Sequence, residues 1–88
     1  MELGEFGITV NNILPGYTKT NRLNELALKS AQSEGKNVED IFNSWASNNS
    51  IKRIGDAKEI AESVAFLASE SSGFINGHDL VVDGGRFK

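Results

Sequence analysis

Residues 8–16 read Ile8-Thr9-Val10-Asn11-Asn12-Ile13-Leu14-Pro15-Gly16, and this stretch sets the fold class. β-branched and other apolar residues dominate it, and the Pro15-Gly16 pair that follows cannot continue a strand ladder, because proline has no amide donor. The pattern predicts a buried strand over 8–14. A second run, His78-Asp79-Leu80-Val81-Val82, predicts a strand over 78–82 that stops at Asp83-Gly84-Gly85. Strands this far apart with helices between them pair in parallel through a crossover, usually right-handed. The expected class is therefore α/β.

The helices between the strands follow from spacing and punctuation. Leu23, Leu26, Ala27, Ser30 and Ala31 recur at helical intervals before Gly35, predicting a helix over about 21–34. Asn37 is a candidate N-cap, and Val38, Ile41, Phe42 and Trp45 fall at i, i+3, i+4 and i+7, predicting a second helix over 38–48 with one apolar stripe. Asp56 and Glu59 form a capping-box-like pair at the head of a third helix over 56–69. There Ile60, Ala61, Val64, Ala65, Leu67 and Ala68 are expected to be buried, with Lys58, Glu59, Glu62 and Ser63 outside. At the other end, residues 2–6 resemble the close of a helix, stopped by Gly7 in a left-handed conformation.

Composition narrows the function. With 88 residues the chain forms one domain or part of one, and a chain of this size hides only about 60–65% of its unfolded surface. It has no cysteine, which removes disulfides, thiolate metal sites and a cysteine nucleophile. Its apolar runs fall far short of the ~20 residues a membrane helix needs, and the acidic start Met1-Glu2-Leu3-Gly4 does not read as a signal peptide. A cytoplasmic location is expected. Nine Lys and Arg against twelve Asp and Glu, spread without blocks, give a net charge of −3 and argue against a nucleic-acid partner. Parallel strands sit in sheets covered on both faces, and two strands make very little sheet. The edge of the strand over 8–14 is thus expected to need neighbours from elsewhere in a longer protein or from another chain.

Catalytic and ligand motifs are sparse. The glycines, at 4, 7, 16, 35, 55, 73, 77, 84 and 85, give neither G-x-G-x-x-G nor a Walker A loop. His78 is the single histidine and has no partner at metal-ligand spacing, so neither a metal site nor a Ser-His-Asp arrangement is expected. The stretch that carries information runs Val10 to Thr20, read with Arg53-Ile54-Gly55-Asp56, Glu59-Ile60-Ala61, Val64 to Ser69, Ile75-Asn76-Gly77 and Leu80 to Gly85.

In content and order these segments resemble the C-terminal third of a short-chain dehydrogenase/reductase, and among that family they are similar to the 3-oxoacyl-[acyl-carrier-protein] reductase-like members. The resemblance implies that the chain is the C-terminal part of a Rossmann-like, doubly wound parallel sheet, with residues 1–88 forming a fragment of one such domain. It implies an intact enzyme that moves hydride between the nicotinamide of NAD or NADP and a carbonyl or alcohol carbon. The substrate would be a small-molecule carbonyl or alcohol, or an acyl-carrier substrate. Pro15, Gly16, Tyr17 and Thr18 would lie beside the nicotinamide, with the Thr20 hydroxyl on its carboxamide or on pyrophosphate. Read from the residues alone, Pro-Gly simply ends a strand and Thr20 caps the next helix; the flanking matches favour cofactor contact. The helices after Asn21 would cover substrate, with Leu23, Leu26, Phe42 and Trp45 as candidate pocket walls, although each also reads as ordinary helix-packing core. The family's catalytic Ser, Tyr and Lys are not encoded: Tyr17 is the only tyrosine and Asn21, not Lys, stands four residues on. No catalytic residue is therefore assigned, and the isolated chain is expected to be inactive. Two departures from the family pattern are Ala57, where proline is frequent, and Thr18, where Ile or Val is frequent. The resemblance also implies a homo-oligomer joined through the last helix and strand. The alternative is a non-catalytic interaction module that pairs its open strand edge with another subunit of such an enzyme; the apolar, unprotected run over 8–14 favours the fragment.

Overall fold

The computed structural model describes residues 2–86, so Met1, Phe87 and Lys88 lie outside the described residues. Strand β1 (Asn12–Pro15) pairs in parallel with β4 (Asp79–Val82), in the register Asn12 to Asp79 through Pro15 to Val82. A second parallel pair joins two very short strands, β2 (Thr18–Lys19) and β3 (Gly55–Asp56). Between them run helices α1 (Asn21–Glu34) and α2 (Val38–Ala46), and α3 (Ala57–Ala68) follows β3 directly. Short 3-10 turns occupy Glu2–Phe6 and Glu70–Ser72. The arrangement is α/β with parallel strands and crossover helices.

The first strand is shorter than its sequence pattern suggests, and it ends later. Residues 8–11 stay outside the paired strand: the Val10 carbonyl accepts from the Gly77 amide at 2.8 Å, and side chains take up other groups along this stretch. The Val10 amide donates to Asn76 Oδ1 at 3.0 Å, Asn11 Nδ2 donates to the Ile75 carbonyl at 3.2 Å, and the His78 amide donates to Asn11 Oδ1 at 2.9 Å. Ladder bonding begins where the Asn12 amide reaches the His78 carbonyl. Pro15 closes the strand rather than lying beyond it: it stands opposite Val82 in the register, and the Gly16 amide takes the Val82 carbonyl at 3.1 Å. The last strand starts at Asp79, one residue after the expected start, and exposed His78 precedes it.

Helix α1 is capped as its punctuation suggests. Thr20 Oγ1 accepts from the Leu23 amide at 3.2 Å, and Gly35 closes the helix at φ 65°, a left-handed conformation that costs an L-residue with a Cβ. Asn37 Oδ1 caps α2 by accepting from the Asp40 amide at 2.9 Å. The second helix stops at Ala46 rather than 48, because Ser47 and Asn49 turn their amides to the Ser44 and Ala46 carbonyls in tighter i−3 bonds. Helix α3 has Asp56 as N-cap and Ser69 as C-cap, one residue inside the expected range at each end.

The core lies between α1 and α2, where Ala27 and Ala31 meet Ile41 and Phe42, and Val38, Trp45 and Ile54 pack against them. The small alanines allow the close approach that buries Phe42. The broad face expected to be buried on α3 is not: Ala61, Val64, Ala65 and Ala68 are exposed, and only Ile60 and Leu67 are half-buried, beside Ser63. A two-stranded sheet is too narrow to cover a three-turn helix. Val10, Leu14, Val64, Phe66, Phe74 and Val81 accordingly remain exposed. The accessible surface is 6444 Å², against about 5,000 Å² for a compact protein of this mass. No helix among the described residues is long and apolar enough to cross a membrane.

Candidate functional site

The ends of β1 and β4 lie side by side, and the loops that leave them build the site. Gly16 is required by packing before any ligand is considered. A Cβ built on it would fall 2.8 Å from Asp83 Cβ and 2.9 Å from Asp83 Cα, so any side chain would drive the two loops apart. Asp83 is itself buried, and its Oδ1 accepts from the Gly85 amide at 2.8 Å. Gly84 and Gly85 follow at φ 67° and 82° and reverse the chain after β4.

That reversal brings Arg86 over the Tyr17 ring, its guanidinium carbon 4.7 Å from the centroid. Tyr17 also stacks on Trp45 of α2, with centroids 5.4 Å apart and an interplanar angle of 14°. Trp45 in turn meets Phe42 edge to face at 6.0 Å. An aromatic ladder therefore runs from the helical core to the Pro15-Gly16 loop and ends under a cation. Beside it opens a groove of about 390 Å³ lined by Pro15, Gly16, Tyr17, Thr18, Leu23 and Arg86.

Several backbone groups of this loop are already committed. The Thr18 hydroxyl donates to the Gly16 carbonyl at 3.0 Å, the Gly16 amide donates to Val82, and the Gly55 amide donates to the Tyr17 carbonyl at 3.0 Å. These bonds and the β2–β3 pairing fix the loop between the sheet and the start of α3. Thr20 serves as the α1 cap, using its oxygen as acceptor; a hydroxyl that accepts still has its proton to donate. Its two sequence roles are thus compatible.

The candidate pocket walls separate. Leu23 lines the groove, Trp45 reaches it through Tyr17, Phe42 is buried in the helix core, and Leu26 is exposed away from the groove. Lys19 Nζ lies 5.2 Å from the Phe42 ring centroid, beside a second, more polar depression of about 280 Å³ that includes Arg53 and Asp56. Arg53 is held within the chain: its two terminal nitrogens meet the two carboxylate oxygens of Glu59 at 2.7 and 2.9 Å, a bidentate pair. Glu59 Oε1 also accepts from the Asp56 amide at 2.9 Å. Hydrogen bonding from Arg53, then from the Asp56 backbone, holds the Glu59 carboxyl down at about 2. No group of three or more His, Cys, Asp or Glu side chains suited to a metal ion occurs among the described residues. Arg86 and the Gly16–Asp83 contact were not foreseen from the sequence. The usable signal was the Asp83-Gly84-Gly85 run, whose paired glycines announce a reversal directly before an arginine.

The comparisons with known proteins point one way. The family model described as enoyl-(acyl carrier protein) reductase matches residues 1–86. The short-chain reductase protein NovJ of Streptomyces niveus is 39% identical over 85 residues, which are 97% of this chain and 31% of that protein. The 3-oxoacyl-[acyl-carrier-protein] reductase FabG of Buchnera aphidicola is 38% identical over 87 residues, 99% of this chain and 31% of its own length. The L-sorbose reductase of Gluconobacter frateurii, solved with NADPH and L-sorbose, superposes with a TM-score of 0.91 at 31% identity, covering 99% of this chain and 34% of that one. The chain thus spans about a third of the length of the relatives it matches.

Proposed function

Since the chain belongs to the short-chain dehydrogenase/reductase family, we propose that it is the C-terminal, nicotinamide-side portion of an NAD(P)-dependent oxidoreductase. The observation that carries this is the groove at the end of β1, where Pro15, Gly16, Tyr17 and Thr18 line one wall together with Leu23. Its volume of about 390 Å³ is ample for a nicotinamide ring. NAD or NADP, when bound, supplies hydride exchange with a carbonyl or alcohol carbon.

The chain's own residues then hold and orient. Pro15 and the Thr18-to-Gly16 bond stiffen the loop, Leu23 and Tyr17 exclude water from one side of the groove, and Thr20 donates its hydroxyl proton to a carboxamide or phosphate oxygen while capping α1. The Gly16 amide, the Gly16 carbonyl and the Tyr17 carbonyl are engaged within the protein, so the carboxamide is met by other groups of the loop. Leu23 and Trp45 are the better placed of the substrate-cover candidates; Phe42 packs in the helix core, and Leu26 is exposed. Proton donation to the carbonyl belongs to residues outside these 88, and the isolated chain is inactive. The intact enzyme is cytoplasmic and homo-oligomeric through α3 and β4, whose exposed apolar side chains suit such an interface.

The test is to recover the protein from its source with an antibody against residues 83–88, measure its intact mass, and assay NAD(P)H oxidation with ketones. A product of about 270 residues is expected, since 85 residues are 31% of the NovJ length, and it should turn over while the 88-residue chain does not. A stable 9.5 kDa product co-purifying with a full-length dehydrogenase subunit would instead establish the non-catalytic interaction module. Turnover by the 88 residues alone would overturn the assignment of catalysis to other residues.

A further inference from the structure

We infer that Arg53 and Glu59 are positioning residues for the dinucleotide, because together they hold the strand, β3, against which the loop from Pro15 to Lys19 is aligned. This rests on the reading of that loop as a wall of the nicotinamide groove, and it names what keeps the wall in place. The loop is supported on two sides. On one, the Gly16 amide reaches the Val82 carbonyl at the end of β4; on the other, the Gly55 amide reaches the Tyr17 carbonyl at 3.0 Å. The second support continues as the β2–β3 ladder, which is only Thr18 with Gly55 and Lys19 with Asp56. A ladder this short does not hold its own register, so the backbone at Gly55 and Asp56 must be fixed from outside it.

Arg53 and Glu59 fix it from the two flanks of β3. The guanidinium meets both carboxylate oxygens of Glu59, at 2.7 and 2.9 Å, and its Nη1 also donates at 3.3 Å to the Ile54 carbonyl, in the peptide that enters β3. Glu59 Oε1 in turn accepts from the Asp56 amide at 2.9 Å. The Arg53 carbonyl accepts from Asn49 Nδ2 at 3.2 Å, which ties the same residue to the turn after α2. The strand is thus strapped by one side chain from each flank, and a two-point contact sets direction where a single charge would not. With its carboxyl held down at about 2, Glu59 is ionised and the strap is closed at neutral pH. Both side chains are exposed, where an ion pair adds little to global stability, so the effect of this one is mainly on the geometry of the loop.

The experiment uses the protein at the length its source makes and compares two ligands. NADH or NADPH brings a nicotinamide ring to the loop, whereas ADP-ribose, phosphorylated on its adenosine for an NADP enzyme, has no such ring. Affinities are titrated by calorimetry, and the rise in NAD(P)H fluorescence on binding reports the surroundings of the ring. Arg53→Gln should bind NAD(P)H about threefold to tenfold more weakly, the effect of one or two lost hydrogen bonds, with a smaller fluorescence rise and unchanged affinity for ADP-ribose. Arg53→Lys, which keeps the charge but not the two-point contact, should fall between Arg53→Gln and the native protein. Gly35→Ala strains the far end of α1, where φ is 65°, and serves as the control: it should lower the melting temperature and leave both affinities as they are. ADP-ribose binding shows that a variant is folded, and if Arg53→Gln does not fold, Arg53→Lys is read by the same criteria. Unchanged NAD(P)H binding, equal weakening of NAD(P)H and ADP-ribose, or the same selective loss in Gly35→Ala would overturn the inference. Absence of dinucleotide binding by the native protein would sink the proposed function itself, whereas native binding that Arg53→Gln leaves intact would sink only the positioning role.

Discussion

Gly16 and Asp83 lie so close where the first and last strands end that a Cβ on Gly16 would fall 2.8 Å from Asp83 Cβ and 2.9 Å from Asp83 Cα. Gly16→Ala should therefore destabilise the protein by about 1–3 kcal/mol, the usual cost of forcing a methyl group into a packed site. Because Gly16 does not have a positive φ, the cost is steric rather than conformational. Urea unfolding should show a lower midpoint with an unchanged slope. An unchanged midpoint would mean that the two loops separate freely.

The Arg53–Glu59 pair makes stability depend on acid. The Glu59 pKa is lowered from an ordinary 4.5 to about 2, by the Arg53 hydrogen bonds first and the Asp56 amide second. A carboxyl with a depressed folded-state pKa contributes stability that is fully present above the unfolded value and is lost as pH falls through the folded one. The stability gap between the native protein and Arg53→Gln should thus close between pH 4.5 and about 2. Carbon-detected titration of the Glu59 carboxyl should give a midpoint near 2, moving upward in Arg53→Gln. The pair is solvent-facing, so added salt should weaken the effect.

Thr20 has two separable duties. Thr20→Ala removes the α1 cap and should cost about 1 kcal/mol of stability, while Thr20→Ser keeps both oxygen and proton and should cost little. Thr20→Asp keeps an acceptor for the Leu23 amide but replaces the donor with a charge. It should retain thermal stability yet weaken dinucleotide binding, read by titration. Equal dinucleotide affinity in Thr20→Asp would confine Thr20 to its structural duty.

Tyr17 and Trp45 are the only tyrosine and the only tryptophan in the 88 residues, and they are stacked. A double-mutant cycle with Tyr17→Leu and Trp45→Leu should give a coupling of about 0.5–1.5 kcal/mol. In the 88-residue chain, Tyr17→Leu should also change the emission of Trp45. No coupling and no spectral change would place the ring pair apart in solution.

Local signals were the most legible in the sequence. Thr20, Gly35, Asn37 and Asp56 all stand where helices start or stop, because capping depends on one residue and its near neighbours. The Val38, Ile41, Phe42 and Trp45 stripe also packs inward as its periodicity suggests. Burial on α3 was misread for the opposite reason: amphipathicity shows which face seeks a partner but not whether the chain contains one. Strand β1 was misplaced because the Asn11 and Asn76 side chains bond backbone groups beside it, an arrangement that depends on residues more than sixty positions apart. At the site, the Pro15 to Thr18 loop was visible as a motif. Arg86 was not, since its placement depends on the sense of turn taken by two glycines and on the presence of Tyr17 beneath it.

The pairing of Asn12 with Asp79 bears on how the polypeptide reaches this state. Nearly the whole length must be available before the sheet can close, and closing so large a loop is entropically slow compared with forming a helical hairpin. The α1–α2 hairpin, with its contacts close in sequence, should form early, while β1 waits for its last neighbour to leave the ribosome. Until then the Ile13 and Leu14 backbone is open to other strands, so a nascent chain stalled before residue 79 would be the species most in need of a chaperone.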